Sequence, residues 1–312
     1  MKTNTWPSIP FSDWSETTAA LHHYAQIVGK YRLAHTPWVN HAWHATFYVT
    51  PRGITSSMIP DGEGGIEVTF DLLDHQLVAH CASGSTKTFP LEPMSVAEFL
   101  QRFKDTITAL GGDPTFHGSP NELPEVIPFS EDTKQRPYDA DAVSRFHRAL
   151  VLIDNVLKDF RTGFRGKVSP VHLFWGSFDL AVTRFSGRPA PLHPGGIPNL
   201  PDDVTREAYS HEVSSAGFWA GGGPTDDAAF YSYAYPKPDG FENAEVKPKE
   251  AYWNADFGEF ILPYEAVRNS DDPEAMLMEF LESTYVAAAE LAKWDRSQEC
   301  ERGVKGKPIK IG

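Results

Sequence analysis

Residues 171–185, VHLFWGSFDLAVTRF, decide how this chain is read. Aromatic and β-branched side chains crowd the run, so it reads as strand. It also carries His172, Asp179 and Arg184 among apolar neighbours, which builds polar groups into a sheet. Side chains alternate along a strand, so His172 and Asp179 would fall on opposite faces. A bulge at Gly176 would insert one residue and restore a common face. His172, Asp179 and Arg184 are then expected on one surface, with Trp175 beside them.

Upstream, helical spacing of Trp14, Leu21, Tyr24, Ile27, Val28 and Leu33 predicts a helix over 13–35, stopped by Pro37. AWHATFYVT (42–50), 66–72 and 76–80 read as strands. Ser95 and Glu98 form a capping box for a helix over 95–110, closed by Gly111-Gly112. The proline-rich stretch 113–138 reads as loop. From Asp139, the stripe Phe146, Leu150, Ile153, Leu157, Phe160 predicts another helix. Downstream, 186–206 reads as coil, 208–219, 229–235 and 258–262 as strands, and 272–295 as a helix with Pro273 at its first position. The expectation is an α+β protein. Two helix–strands–helix halves would carry mainly antiparallel sheets packed under helices, with a half at 1–127, a linker at 128–138, a half at 139–296 and a flexible basic tail at 297–312. The echoes Glu98-Phe99-Leu100 and Glu279-Phe280-Leu281 make these halves candidates for an internal repeat.

The 312 residues carry 28 Lys and Arg against 42 Asp and Glu, a net charge of −14. That balance argues against a nucleic-acid backbone or an anionic membrane as direct partner. No run approaches the ~18 apolar residues of a membrane span. Two lone cysteines, Cys81 and Cys300, and a start without a secretory pattern point to the cytoplasm.

Three histidines on distant strands, His44, His172 and His211, are candidate ligands for a divalent metal, zinc or iron, with Asp179 or Glu212 completing or orienting the set. Without metal, His172, His211, Asp179 and Glu212 are candidate acid–base groups. Trp175, Tyr209 and Trp219 are candidate walls of a substrate pocket, and Arg184 a grip for an anionic group. Alternating Tyr231, Tyr233 and Tyr235 lie on one strand face, as a pocket wall or as sheet core. The expected function is an enzyme on a small organic, anionic molecule, with its site between the halves. The alternatives are a non-catalytic small-ligand binder and a structural or dimerisation module. The sequence leaves the oligomeric state open.

NHAWHATFYVTPRGITSS (40–57), SPVHLFWGSFDLAVTRFSGR (169–188), REAYSHEVSSAGFW (206–219) and WDRS (294–297) resemble an uncharacterised bacterial family, domain of unknown function 5996. The likeness spans about 6–296. It implies no activity, cofactor or catalytic residue.

Overall fold

The computed structural model describes residues 6–303 apart from Pro124 and Pro224. Helix α1 (Ser15–His35) leads into strands β1 (Tyr48–Thr50), β2 (Gly53–Ile59), β3 (Ile66–Asp71), β4 (Gln76–Cys81) and β5 (Thr86–Pro90). These pair in sequence order as an antiparallel meander. Helix α2 (Val96–Ala109) closes this half, and its capping box is formed as expected: Glu98 N–H donates to Ser95 Oγ, and Ser95 N–H to Glu98. Helix α3 (Ala140–Thr162), capped by Asp139, opens the second half. Strands β6 (His172–Phe174) and β7 (Asp179–Pro189), helix α4 (Asp202–Ala208), and strands β8 (His211–Gly221), β9 (Asp227–Tyr235), β10 (Tyr252–Asn254) and β11 (Glu259–Pro263) follow. They form a second antiparallel sheet, ordered β10-β11-β9-β8-β7-β6. Helices α5 (Tyr264–Arg268) and α6 (Pro273–Leu291) end the half. The α+β architecture is the one expected.

The sheets meet edge to edge. Phe47, just before β1, exchanges two backbone hydrogen bonds with Leu173 of β6, at 2.9 and 2.8 Å. One core runs through both halves, from Leu21, Phe70 and Phe99 to Phe146, Phe218 and Leu281. The proline-rich stretch is pinned to this body: Phe129 is fully buried, and Arg136 grips Asp132 in a buried two-point pair. The tail also docks at its start. Glu299 is buried against Arg296 and Tyr285, and Cys300 N–H donates to Gly163 O. The rest of the expected flexible tail, 304–312, lies outside the described residues. Among the described residues no helix is long and apolar enough to cross a membrane.

Several expectations change. The stretch expected as coil over 186–206 carries β7 on to Pro189 and starts α4 at Asp202, so the strand expected from 208 begins only at His211. AWHATFYVT is strand only from Tyr48, because His41 and Ala42 take left-handed backbone (φ 60° and 57°) and turn the chain first. The 171–185 run is a hairpin, not one bulged strand: residues 175–178 make the turn, and Phe174 pairs with Asp179, His172 with Ala181. His172 and Asp179 share a face for that reason.

Candidate functional site

The register of the second sheet sorts its side chains onto two faces. Leu180, Phe218, Phe230 and Leu262 lie abreast across β7, β8, β9 and β11, all buried on the face covered by α3 and α6. The other face carries Asp179–Trp219–Ala229, then Ala181–Gly217–Tyr231–Ile261, then Thr183–Ser215–Tyr233. Alternation along β11 puts Glu259 on this second face with Ile261.

Tyr231 reaches across the sheet. Its ring stacks on Trp219 (centroids 4.2 Å) and its hydroxyl donates to Asp179 Oδ2 at 2.5 Å. Glycine at 217 makes this crossing feasible, since a Cβ there would sit 2.4 Å from both Tyr231 Oη and Leu180 O. Beside it, the Tyr233 and Tyr209 hydroxyls meet at 2.9 Å, and Tyr233 also bonds Ser215, which touches Thr183 Oγ1 at 2.8 Å.

Three segments enclose this face. His193 stacks on Tyr209 (4.9 Å), and Tyr235 Oη donates to Pro191 O. Asn199 donates to Leu123 O, tying that cover to the 118–123 loop. Gln26 of α1 clamps the loop in turn, with Nε2 donating to Asn121 O and Oε1 accepting Asn121 N–H, both at 2.7 Å. The loop delivers Glu122, whose carboxylate accepts the Ser177 hydroxyl and lies against Gly176. Imidazole N–H of His22 fixes the same hairpin turn through Gly176 O (2.8 Å). Glu122 and Phe178 both hold left-handed backbone (φ 58° and 56°), strain of the kind that collects at functional sites.

Tyr209, Tyr233, Glu259 and Glu122 are crowded by protein on nearly all sides yet keep accessible surface. We read that combination, cover by the surrounding segments with some exposure left, as the wall of a recess. Burial pushes the Asp179 carboxyl up to about 7, with Glu122 adding and Tyr231 opposing. Burial, then Asp179, pushes Glu259 up to about 8. Burial raises Glu122 as well, restrained by Ser177 and Lys30. Lys30, itself buried against the Trp175 ring, is lowered to about 8. Asp179 and Glu259 are therefore poised around neutrality.

Asp179, Tyr209 and Trp219 stand at the recess as candidates. The remaining expected residues do not join them. Arg184 points to the other face, its guanidinium 3.6 Å from the Phe160 ring and 4.2 Å from Tyr285. Trp175 fills the space above Gly29 and donates to Ala45 O. Glu212 is held by Arg188 and Ser186. His211 bonds Ser210, and buried His44 bonds the Val39 backbone. His172 is fully buried and lowered to about 3 by burial and then Arg161. The Thr46 hydroxyl donates to Trp43 O and so accepts His172 Nδ1–H, leaving Nε2 bare. The three histidines thus sit in separate local settings. Among the described residues no group of three His, Cys, Asp or Glu side chains is arranged to hold a metal ion.

Glu122 and Glu259 escaped the sequence reading. Glu259 carried a signal, as a lone carboxylate alternating with Phe260 in an apolar strand; Glu122, in a loop, carried none. A surface hollow of about 1200 Å³ lies elsewhere, between α3 and α6. It is broad and open, and its lining mixes carboxylates such as Asp159 and Glu282 with amide and apolar side chains and no aromatic ring, so the tyrosine–carboxyl face is the stronger candidate.

The fold is that of an α+β protein whose second sheet gathers phenols and carboxyls on one face. The chain belongs to the family of unknown function DUF5996, whose model matches residues 6–301. No curated protein and no solved structure matches it.

Proposed function

We propose that the recess binds a small organic molecule and that Asp179 exchanges a proton with it, as in an acid–base enzyme. The observation that carries this reading is the Tyr231–Asp179 hydrogen bond on the recess floor. A carboxyl near neutrality is present in both protonation states at physiological pH, which suits a general acid or base. Tyr231 orients it, Trp219 supplies an aromatic face, and the Tyr209–Tyr233 pair supplies neutral donors. Glu122 comes from the first half and the rest from the second, so the site lies where the halves meet. Arg184, turned away, offers no grip on an anionic substrate. Two unpaired cysteines fit residence in the cytoplasm.

A thermal-shift screen of small polar compounds tests the proposal, since a ligand of the folded state raises Tm. Hits that stabilise the native chain are expected to fail with D179N and with Y231F. A screen whose hits bind both variants as well as the native chain would sink it.

A further inference from the structure

We infer that the recess is built for an organic cation, an amine or quaternary ammonium, held between aromatic faces and carboxylates. This rests on the recess being a ligand site, and deepens that reading by naming the ligand's charge.

The inference starts from an imbalance. The charged groups that face Asp179 are the carboxyl of Glu122 and, from β11, that of Glu259. From α1, Lys30 faces Glu122, but its amine is turned to Asn121 Oδ1 and the Trp175 ring. The other titratable groups against the set are phenols, Tyr209, Tyr231 and Tyr233, which face Glu259 and Asp179. Tyr231 satisfies one oxygen of Asp179, whereas Glu259 Oε2 is buried with no hydrogen-bond partner. An enclosed carboxyl group with an unused oxygen is destabilising unless something supplies a donor. An ammonium supplies both donor and charge.

The aromatic residues fit the same ligand. Trp219 and Tyr231 stack side by side, Tyr233 lies parallel to Tyr231 at 6.0 Å, and Tyr209 is tilted against Tyr233 at 6.2 Å. Ring faces attract cations, most strongly when the site is shielded from water. An anion would instead meet three carboxyls and the negative faces of those rings.

Burial raises Asp179 to about 7 and Glu259 to about 8, each raised further by a neighbouring carboxyl, so both carry protons near neutral pH. A bound cation favours the ionised form, so its arrival expels a proton to the solvent. Affinity is therefore linked to pH and should rise as pH rises.

Three probes of one shape and different charge test this: benzylamine, benzyl alcohol and benzoate, titrated calorimetrically into the full chain. Benzylamine stays protonated between pH 6 and 8. It is expected to bind at least tenfold more tightly than the other two. Its Kd should fall about tenfold from pH 6 to pH 8, with a heat that depends on the buffer's ionisation enthalpy because protons are released. E259Q should abolish the preference for the cation, and D179N should cut the proton release. Equal binding of benzyl alcohol or benzoate, lost in D179N, overturns the cation and leaves the recess standing. No binding by any probe also overturns the cation, and the compound screen then decides the recess separately.

Discussion

The two faces of the second sheet come from the same strands, residue by residue, yet they solve opposite problems. The inner face stacks Leu180, Phe218, Phe230 and Leu262 under α3 and α6 and spends its one cation, Arg184, between the rings of Phe160 and Tyr285. That guanidinium is covered by the rings and by its hydrogen bond to Phe160 O. The outer face gathers phenols and carboxyls under irregular segments, and leaves Glu259 Oε2 without a partner. A sheet face laid under helices can be filled by shape alone. One covered by loops keeps a recess, and the groups in it keep their chemistry. The contrast teaches that alternation within one strand suffices to separate stability from reactivity.

Phe230→Ala should break the inner face hardest. The ring is fully buried, and its loss is expected to cost about 3–5 kcal/mol in urea unfolding. A loss under 1 kcal/mol would remove the claim that this face carries stability. Gly217→Ala strikes the boundary between the faces. Its Cβ would displace Tyr231 from Asp179 or push on Leu180 O, for about 1–3 kcal/mol. An unchanged Tyr231–Asp179 pair in a structure of the variant would show that the glycine is dispensable.

The smallest effect is also the most diagnostic. Asp179 keeps its proton in the folded chain up to about pH 7, against 3.8 in the unfolded chain. The stability it contributes is complete below about pH 4 and is lost as pH rises through about 7. Glu259 behaves alike up to about 8. Buried His22 and His172, lowered to about 4 and 3, act in the opposite sense. Their contribution is present above about 6.5 and lost as pH falls through those values. Between pH 6.5 and 8 the carboxyls dominate the slope and Lys30, lowered to about 8, opposes them weakly, so stability should decline by about 1–2 kcal/mol. D179N should flatten that decline. A native chain that gains stability over this range would contradict the neutral carboxyls.

Regular elements were legible where local chemistry decides them. Ser95 with Glu98, Asp139, and Asp272 before Pro273 mark helix starts that the structure keeps. Strands β2, β5 and β10 were not, because GITSSMI, TKTFP and YWN lack a clean alternation and are ordered by their neighbours. Of the site, Asp179, Tyr209 and Trp219 were legible as polar or aromatic groups in strand-like surroundings. The histidines misled because each finds a local partner: His44 the Val39 backbone, His172 Thr46, His211 Ser210. Sequence shows that such a side chain needs a partner, and only the fold says that a near one suffices. Arg184 misled through register, one position deciding which face receives it.

The exchange between Phe47 and Leu173 has one more consequence. Each sheet ends there in a three-residue strand, and each end is covered by the other. Cut apart, both halves would bare unsatisfied amides and carbonyls along a β edge, an invitation to stick to copies of themselves. The seam that looks like the natural place to divide this molecule is therefore where division would turn it into a precipitate.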